Sequence, residues 1–300
     1  MKNKKAALLQ TGILFLVLLI ARVPVGAQQV REPDDVPANW SEPYPPFRIA
    51  GNLYYVGTRD LACYLVTTCK GNILINTGLR GSVALIKKSI ETLGFRLQDT
   101  KILLTSQVHY DHVGAMAALK RLTGAQLMVN AADAPVLADG GRSDYAFGSD
   151  TALFEPVKPN RLLYDGDSIV LGDARLQLLH HPGHTKGSSS FLLDVKDKGK
   201  RYRVLIANMP SIVTEKKFAD IPAYPGIAAD YAHTLKALKD CRFDLWVAAH
   251  ASQFDLEKKH PPHGNYNPAA FADKAGFDQA LEELTRAYEK KMKEERSPVK

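Results

Sequence analysis

The stretch Thr105–Gly114, TSQVHYDHVG, decides how this chain is read. From Gln107 it runs Gln-x-His-x-Asp-His, one residue away from His-x-His-x-Asp-His, a spacing that gathers imidazoles and a carboxylate around a pair of zinc ions. It follows KILLTS, an apolar run of strand character, so the cluster lies just past a strand end. Two more histidines stand in the same relation to strands: His184 after LQLLHHPG and His250 after FDLWVAA. A lone histidine is more often a packed or surface residue. Three strand ends that each deliver one point to a metal centre.

Six donors divide into two sets of three, Gln107, His109 and His184 for one ion and Asp111, His112 and His250 for the other. Zinc in catalytic sites takes three protein ligands and keeps a position for water. Bound zinc lowers the pKa of that water to roughly 7, and two ions about 3.5–4 Å apart can share the nucleophile. A glutamine carbonyl oxygen can serve as a ligand but is a poorer donor to zinc than imidazole, so the first position is expected to be the weaker. Asp111 is the expected catalytic residue, orienting water as well as binding metal. His180 and His181, on the strand leading to His184, are assigned to packing or to hydrogen bonds behind the ligands. His233 lies in a helical pattern, and His260 and His263 lie in the turn-rich HPPHGNYNP, near the surface.

Around these motifs the chain is α/β. FRIAGNLYYVGT and LACYLVTTCKGNILINTG read as a strand meander, followed by a helix at SVALIKKSIETLGF, a strand at TKILLTS, a helix at AMAALKRLT and a strand at AQLMVNA. From Leu162 a second run of strands begins, with a helix at DYAHTLKALKDC and the strand FDLWVAAH; a charged amphipathic helix from about Pro268 to Glu295 closes the chain. Two similar runs predict an αββα sandwich, two sheets face to face with helices outside. The early consecutive strands and the lack of a Gly-rich phosphate turn count against a doubly wound sheet.

Residues 1–27 read as a secretory signal peptide, with Lys2, Lys4 and Lys5, an apolar run from about Ala6 to Ala21, and the small-residue site Val25-Gly26-Ala27. An uncleaved membrane anchor is the competing reading, disfavoured because the run is short for a span. Residues 28–300 then form a single domain. The formal charge of +7 falls to +3 without the four basic residues of the leader. Scattered lysine and arginine call for no nucleic acid and no stable membrane association, and nothing argues for assembly beyond a monomer. Cys63, Cys69 and Cys241 are an odd set outside any CxxC pair, read as core or surface thiols.

At QVHYDHVG, HHPGHTKGS and the late AAH the sequence resembles the metallo-β-lactamase superfamily, and more closely the GOB type of its third lactamase subclass, in which glutamine replaces the first histidine. The likeness runs through the mature chain, including GNILINTG, YRVLIANMPS and ASQFDL. It implies the two ligand sets above, two Zn²⁺ ions, and periplasmic hydrolysis of β-lactam antibiotics (penicillins, cephalosporins, carbapenems) by a metal-bound hydroxide, conferring resistance. Alternatives within the fold are lactone or thioester hydrolysis, or a degraded, exported metal-binding protein. Lactonase and thioesterase relatives usually carry a metal-bridging aspartate where this chain has Asn208, and Met209 stands where other subclasses have a cysteine ligand. Two zinc ions, Asp111 and a hydroxide leave a net charge of about +2, suited to an anionic substrate. Ser211, by resemblance, binds the substrate carboxylate, and Ser143 and Tyr145, in the loop DGGRSDYAFG, are candidate substrate contacts. Thr185 is a candidate support behind His184, and Lys186 reads as a solvated charge.

Overall fold

A computed structural model describes residues 29–296. The expected signal peptide lies outside the described residues. In the first sheet β1 (Phe47–Ala50), β2 (Leu53–Tyr55), β3 (Tyr64–Thr68), β4 (Gly71–Ile75), β5 (Thr100–Leu104), β6 (Gln126–Asn130) and β7 (Arg161–Leu163) lie side by side in chain order. The second sheet, ordered β12-β11-β10-β9-β8, is built from β8 (Ser168–Leu171), β9 (Ala174–His180), β10 (Ser189–Asp197), β11 (Lys200–Ala207) and β12 (Leu245–Ala248). Helices α1 (Val83–Thr92), α2 (Tyr110–Val113), α3 (Met116–Thr123) and α4 (Ala134–Asp139) belong to the first half, and α5 (Ile227–Asp240), α6 (Leu256–Lys259) and α7 (Lys274–Arg296) to the second. The expected αββα sandwich is what the chain forms.

The strands that carry the site are apolar on both faces because both are covered. Along β4, Ile73 and Ile75 enter the core between the sheets, where Leu176, Leu178, Phe191 and Leu193 meet them, while Leu74 points the other way to Ile86 and Ile90 of α1 and Leu119 of α3. In β5, Ile102 and Leu104 face inward and Leu103 outward by the same alternation. Strands β4 to β7 are parallel, so their C-terminal ends, and the loops that follow, collect along one edge. By contrast β9 alternates, with exposed Arg175 and Gln177 between buried Ala174, Leu176 and Leu178, because its outer face lines an open cavity.

Several details differ from the sequence reading. Strand β7 pairs in parallel with β6 as the edge of the first sheet, although its periodicity groups it with the second run; alternation identifies a strand and says nothing of its neighbour. The last helix starts at Lys274, after a 3₁₀ turn at Pro268–Phe271, because the Asp273 carboxylate accepts from Gly276 N (2.8 Å) and caps it there. That helix is more than a solvent-facing layer: Phe277 and Leu281 are buried, Lys291 Nζ donates to the carbonyls of Thr214 and Glu215, and Glu295 accepts from Phe218 N. His260 is buried and stacks on Phe47 at 3.7 Å, whereas His263 and His233 are exposed. The three cysteines are free thiols, Cys63 buried before β3 and Cys69 exposed after it.

The segment carrying the opening motif is packed against backbone. Gly114, just past α2, has ordinary right-handed helical angles, so a side chain meets no conformational objection. Space forbids it: a Cβ there would lie 2.4 Å from Arg80 N and 2.6 Å from the Leu79 carbonyl carbon. Gly114→Ala is therefore expected to destabilise the fold by about 1–3 kcal/mol, the usual range for overpacking, seen as a lower urea midpoint with unchanged slope. An unchanged midpoint would show that the 79–80 loop yields freely.

Candidate metal centre

The strand ends of β5, β9 and β12 bring the six predicted donors to one edge of the sandwich. After β5 the chain passes Gln107 and His109 and makes the single turn α2, which carries Asp111 and His112. His184 follows β9 and His250 follows β12. Gln107, His109, Asp111, His112 and His184 are all buried and His250 nearly so.

In one group, His109 Nδ1 and His184 Nε2 lie 3.1 Å apart. The His184 ring is oriented through its other nitrogen. His184 Nδ1 is 2.7 Å from the Ser211 carbonyl and so carries the proton, leaving Nε2 a bare lone pair. His109 Nε2 is 3.4 Å from the Asp144 carboxylate but is not aligned as a hydrogen bond and has no other partner. Burial pushes the His184 imidazole down to about 3, with the neighbouring His109 adding to the effect. Two ring nitrogens this close need a proton or a cation between them, and with one of the rings left unsatisfied at its other nitrogen the pair fits a metal ion. Gln107 Oε1 accepts from Asn208 Nδ2 at 3.0 Å beside this group.

The second group is Asp111, His112 and His250, whose ligand atoms lie within 4.8 Å of one another. Asp111 Oδ2 is 3.0 Å from His112 Nε2 and 3.3 Å from His250 Nε2. The His112 contact is close in distance but not aligned as a hydrogen bond, and neither ring nitrogen of His112 has a hydrogen-bond partner. A buried imidazole with unsatisfied nitrogens beside a carboxylate is the donor set a zinc ion would complete. Burial alone would raise the Asp111 carboxyl, but His112 and His250 outweigh it and hold the group well below the usual range. Burial would lower His250, yet the Asp111 and Asp60 carboxylates carry it up to about 9. Asp60 is the anchor here, with Oδ2 3.1 Å from His250 Nδ1 and 3.0 Å from Trp40 Nε1, and Oδ1 accepting from Ser252 N.

Sequence spacing missed the acids behind the ligands. Asp60, Asp133 and Asp144 sit on loops far from the histidine motifs, with no spacing of their own to betray them. Asp133 accepts from Val108 N (3.1 Å), Thr185 Oγ1 (2.7 Å) and Gly187 N (2.7 Å), and so braces the His109 and His184 loops together. Thr185 thus lies behind His184. His181 Nδ1 pairs with Ser190 Oγ and His180 Nε2 with the Lys186 carbonyl, while Lys186 Nζ lies over the Tyr224 ring at 5.6 Å.

The two groups open onto a cleft of about 290 Å³ lined by Trp40, Tyr110, Phe147, Ser211 and Val213 among others. Phe147 meets the His109 ring edge-on at 4.9 Å and Trp40 lies 5.5 Å from His250. Of the three candidate substrate contacts, Ser211 lines the cleft. The Tyr145 hydroxyl is turned to the carbonyls of Gly183 and His184 at 3.1 and 3.0 Å, and Ser143 is exposed with its N–H on Asp139. A larger cavity of about 670 Å³, rimmed by Arg48, Arg175, Arg201 and Arg203, is made by other residues and holds none of the six donors.

Residues 56–197 match the family described as the metallo-beta-lactamase superfamily. The class B3 di-zinc metallo-beta-lactamase LRA-12 from an Alaskan soil metagenome is 60% identical, with a TM-score of 0.86 over 87% of this chain and 99% of that one. The metallo-beta-lactamase GOB-18 from Elizabethkingia meningoseptica is 53% identical, with a TM-score of 0.88 over 89% of this chain and 99% of that one. An N-acyl homoserine lactonase from a Bacillus species is 24% identical over 204 residues, covering 59% of this chain and 74% of that protein. With this fold, two groups of buried donors at one sheet edge and likeness over nearly the whole length of class B3 structures, the chain belongs to the metallo-β-lactamase superfamily.

Proposed function

We propose that this protein is a zinc-dependent β-lactamase that opens the ring of penicillins, cephalosporins and carbapenems. The observation that carries the reading is the pair of inward-facing donor groups at the floor of one aromatic-walled cleft, in a chain with 60% identity to a class B3 metallo-beta-lactamase. Gln107, His109 and His184 would hold one ion and Asp111, His112 and His250 the other. When bound, zinc supplies a water of pKa about 7 and polarises a carbonyl oxygen.

The chain's own residues do the rest. Hydrolysis breaks the lactam C–N bond, adding the hydroxyl of a water to carbon and its proton to nitrogen. Asp111, ionised at the cleft floor between His112 and His250, orients that water. Ser211 sits on the cleft wall with Oγ 3.2 Å from His184 Nδ1, where its hydroxyl can turn to a substrate carboxylate. Trp40, Tyr110 and Phe147 exclude water from the wall. Tyr145 braces the His184 loop from behind rather than touching substrate. No side chain is asked to form an acyl intermediate.

Residues 1–27 direct export to the periplasm in this reading, and 28–300 act as one monomeric domain. No described helix is long and apolar enough to cross a membrane. Lactone hydrolysis is the second reading, favoured by the Bacillus lactonase likeness. Against it, the neutral Asn208 amide is engaged as a donor to Gln107 and Ser106 and offers no carboxylate to bridge two ions.

Three outcomes are expected of the mature protein. A cephalosporin and a carbapenem lose their ring absorbance; chelator abolishes this and zinc restores it, whereas a metal-loaded protein that opens only a homoserine lactone would establish the second reading. Ser211→Ala raises KM by roughly tenfold or more, the cost of a hydrogen bond to a charged group, with kcat little changed; an unaltered KM removes the contact. A zinc titration resolves two affinities, and Gln107→His strengthens the weaker alone; two equal affinities in the parent protein would refute the asymmetry.

A further inference from the structure

Amide oxygen and nitrogen are alike in shape, so the end that a glutamine presents to its surroundings is decided by its neighbours. Around Gln107 the neighbours decide it in sequence. Asn208 Nδ2 lies 2.8 Å from the Ser106 carbonyl, which can only accept, so this Asn208 atom must be the amide nitrogen. Its remaining proton points to Gln107 at 3.0 Å, and the atom it meets must be the glutamine oxygen.

The frame that holds this orientation is rigid and buried. Asn208, Ser106 and Gln107 are exposed by 1%, 0% and 3%. Asn208 N donates to Ser190 Oγ at 2.9 Å, and the Ser106 carbonyl also accepts from Ser189 N at 2.7 Å. Ser106 N in turn donates to Asn76 Oδ1 at 2.9 Å, from a residue held in the left-handed region at φ 61°.

We infer that Asn208 is a positioning residue matched to Gln107, fixing the amide so that its oxygen, which keeps a second lone pair, serves as ligand at the first metal position. A carboxylate at 208 has no proton to give and would repel that oxygen, so asparagine is the side chain of this shape that suits glutamine at 107. An imidazole at 107 would not depend on this donor, because its ring has no carbonyl end to orient. The inference rests on the assignment of Gln107 as a ligand.

The test is zinc affinity, measured on the mature chain by competition with a chromophoric chelator, with the thermal midpoint followed alongside. Asn208→Leu removes the donor at similar volume, and Asn208→Ala replaces it should the leucine variant not fold. The expected result is a roughly tenfold loss of affinity at the weaker position, about one hydrogen bond, with the tighter position unchanged. In a Gln107→His background the same substitution should cause no loss. An equal loss in that background, or none in the parent, would overturn the pairing. Gln107→Ala tests the underlying assignment separately: if it leaves both affinities unchanged, Gln107 is no ligand.

Discussion

One buried carboxylate, Asp133, holds the two loops on which the first donor group depends. Its oxygens take the backbone N–H of Val108 from the loop after β5, and the Thr185 hydroxyl and Gly187 N–H from the loop after β9. His109 and His184 are one residue away from these anchors, so the 3.1 Å approach of their ring nitrogens follows from what Asp133 gathers. Burial pushes its carboxyl up, and the Thr185 and Gly187 donors pull the other way. Without the carboxylate, buried donors would lose their acceptor at about 1–3 kcal/mol each. Gly187 is required for the same reason, since a Cβ there would lie 2.6 Å from the Asp133 carboxyl carbon.

The same logic recurs one layer behind each ligand. Ser211 orients His184 in the first group, with Asp144 3.4 Å from His109, and Asp60 orients His250 in the second. An acceptor on one ring nitrogen leaves the other as a lone pair, so Ser211 and Asp60 set the tautomers of His184 and His250. Asp60 couples this duty to the cleft wall, because it also holds Trp40, and Trp40 belongs to the N-terminal segment that crosses the site. The loop of Tyr145 and Phe147 does likewise on the other side, with one ring bracing the His184 backbone and the other closing over His109.

Likeness of fold brings lactonases and lactamases together, and a few side chains separate them. In this chain the distinguishing pair is Gln107 and Asn208, two neutral amides where the relatives implied by resemblance use a histidine and an acid. Here the two amides satisfy one another, with Asn208 Nδ2 donating to Gln107 Oε1 at 3.0 Å.

The six donors were legible in the sequence, because a strand is recognisable from its alternation and a ligand just past its end is a local feature. For the same reason the two runs of strands could be recognised and the sandwich inferred. Which sheet β7 joins, where α7 begins and which way Tyr145 points could not be read, since each depends on a partner distant in the chain. Asp60 meets His250 across 190 positions and Asn208 meets Gln107 across 101. The sequence by itself picked out the six side chains that the fold gathers at one sheet edge. Only the tertiary structure decided their tautomers, their spacing and the supports behind them, because hydrogen bonds between buried groups are set by packing and leave no period in the chain.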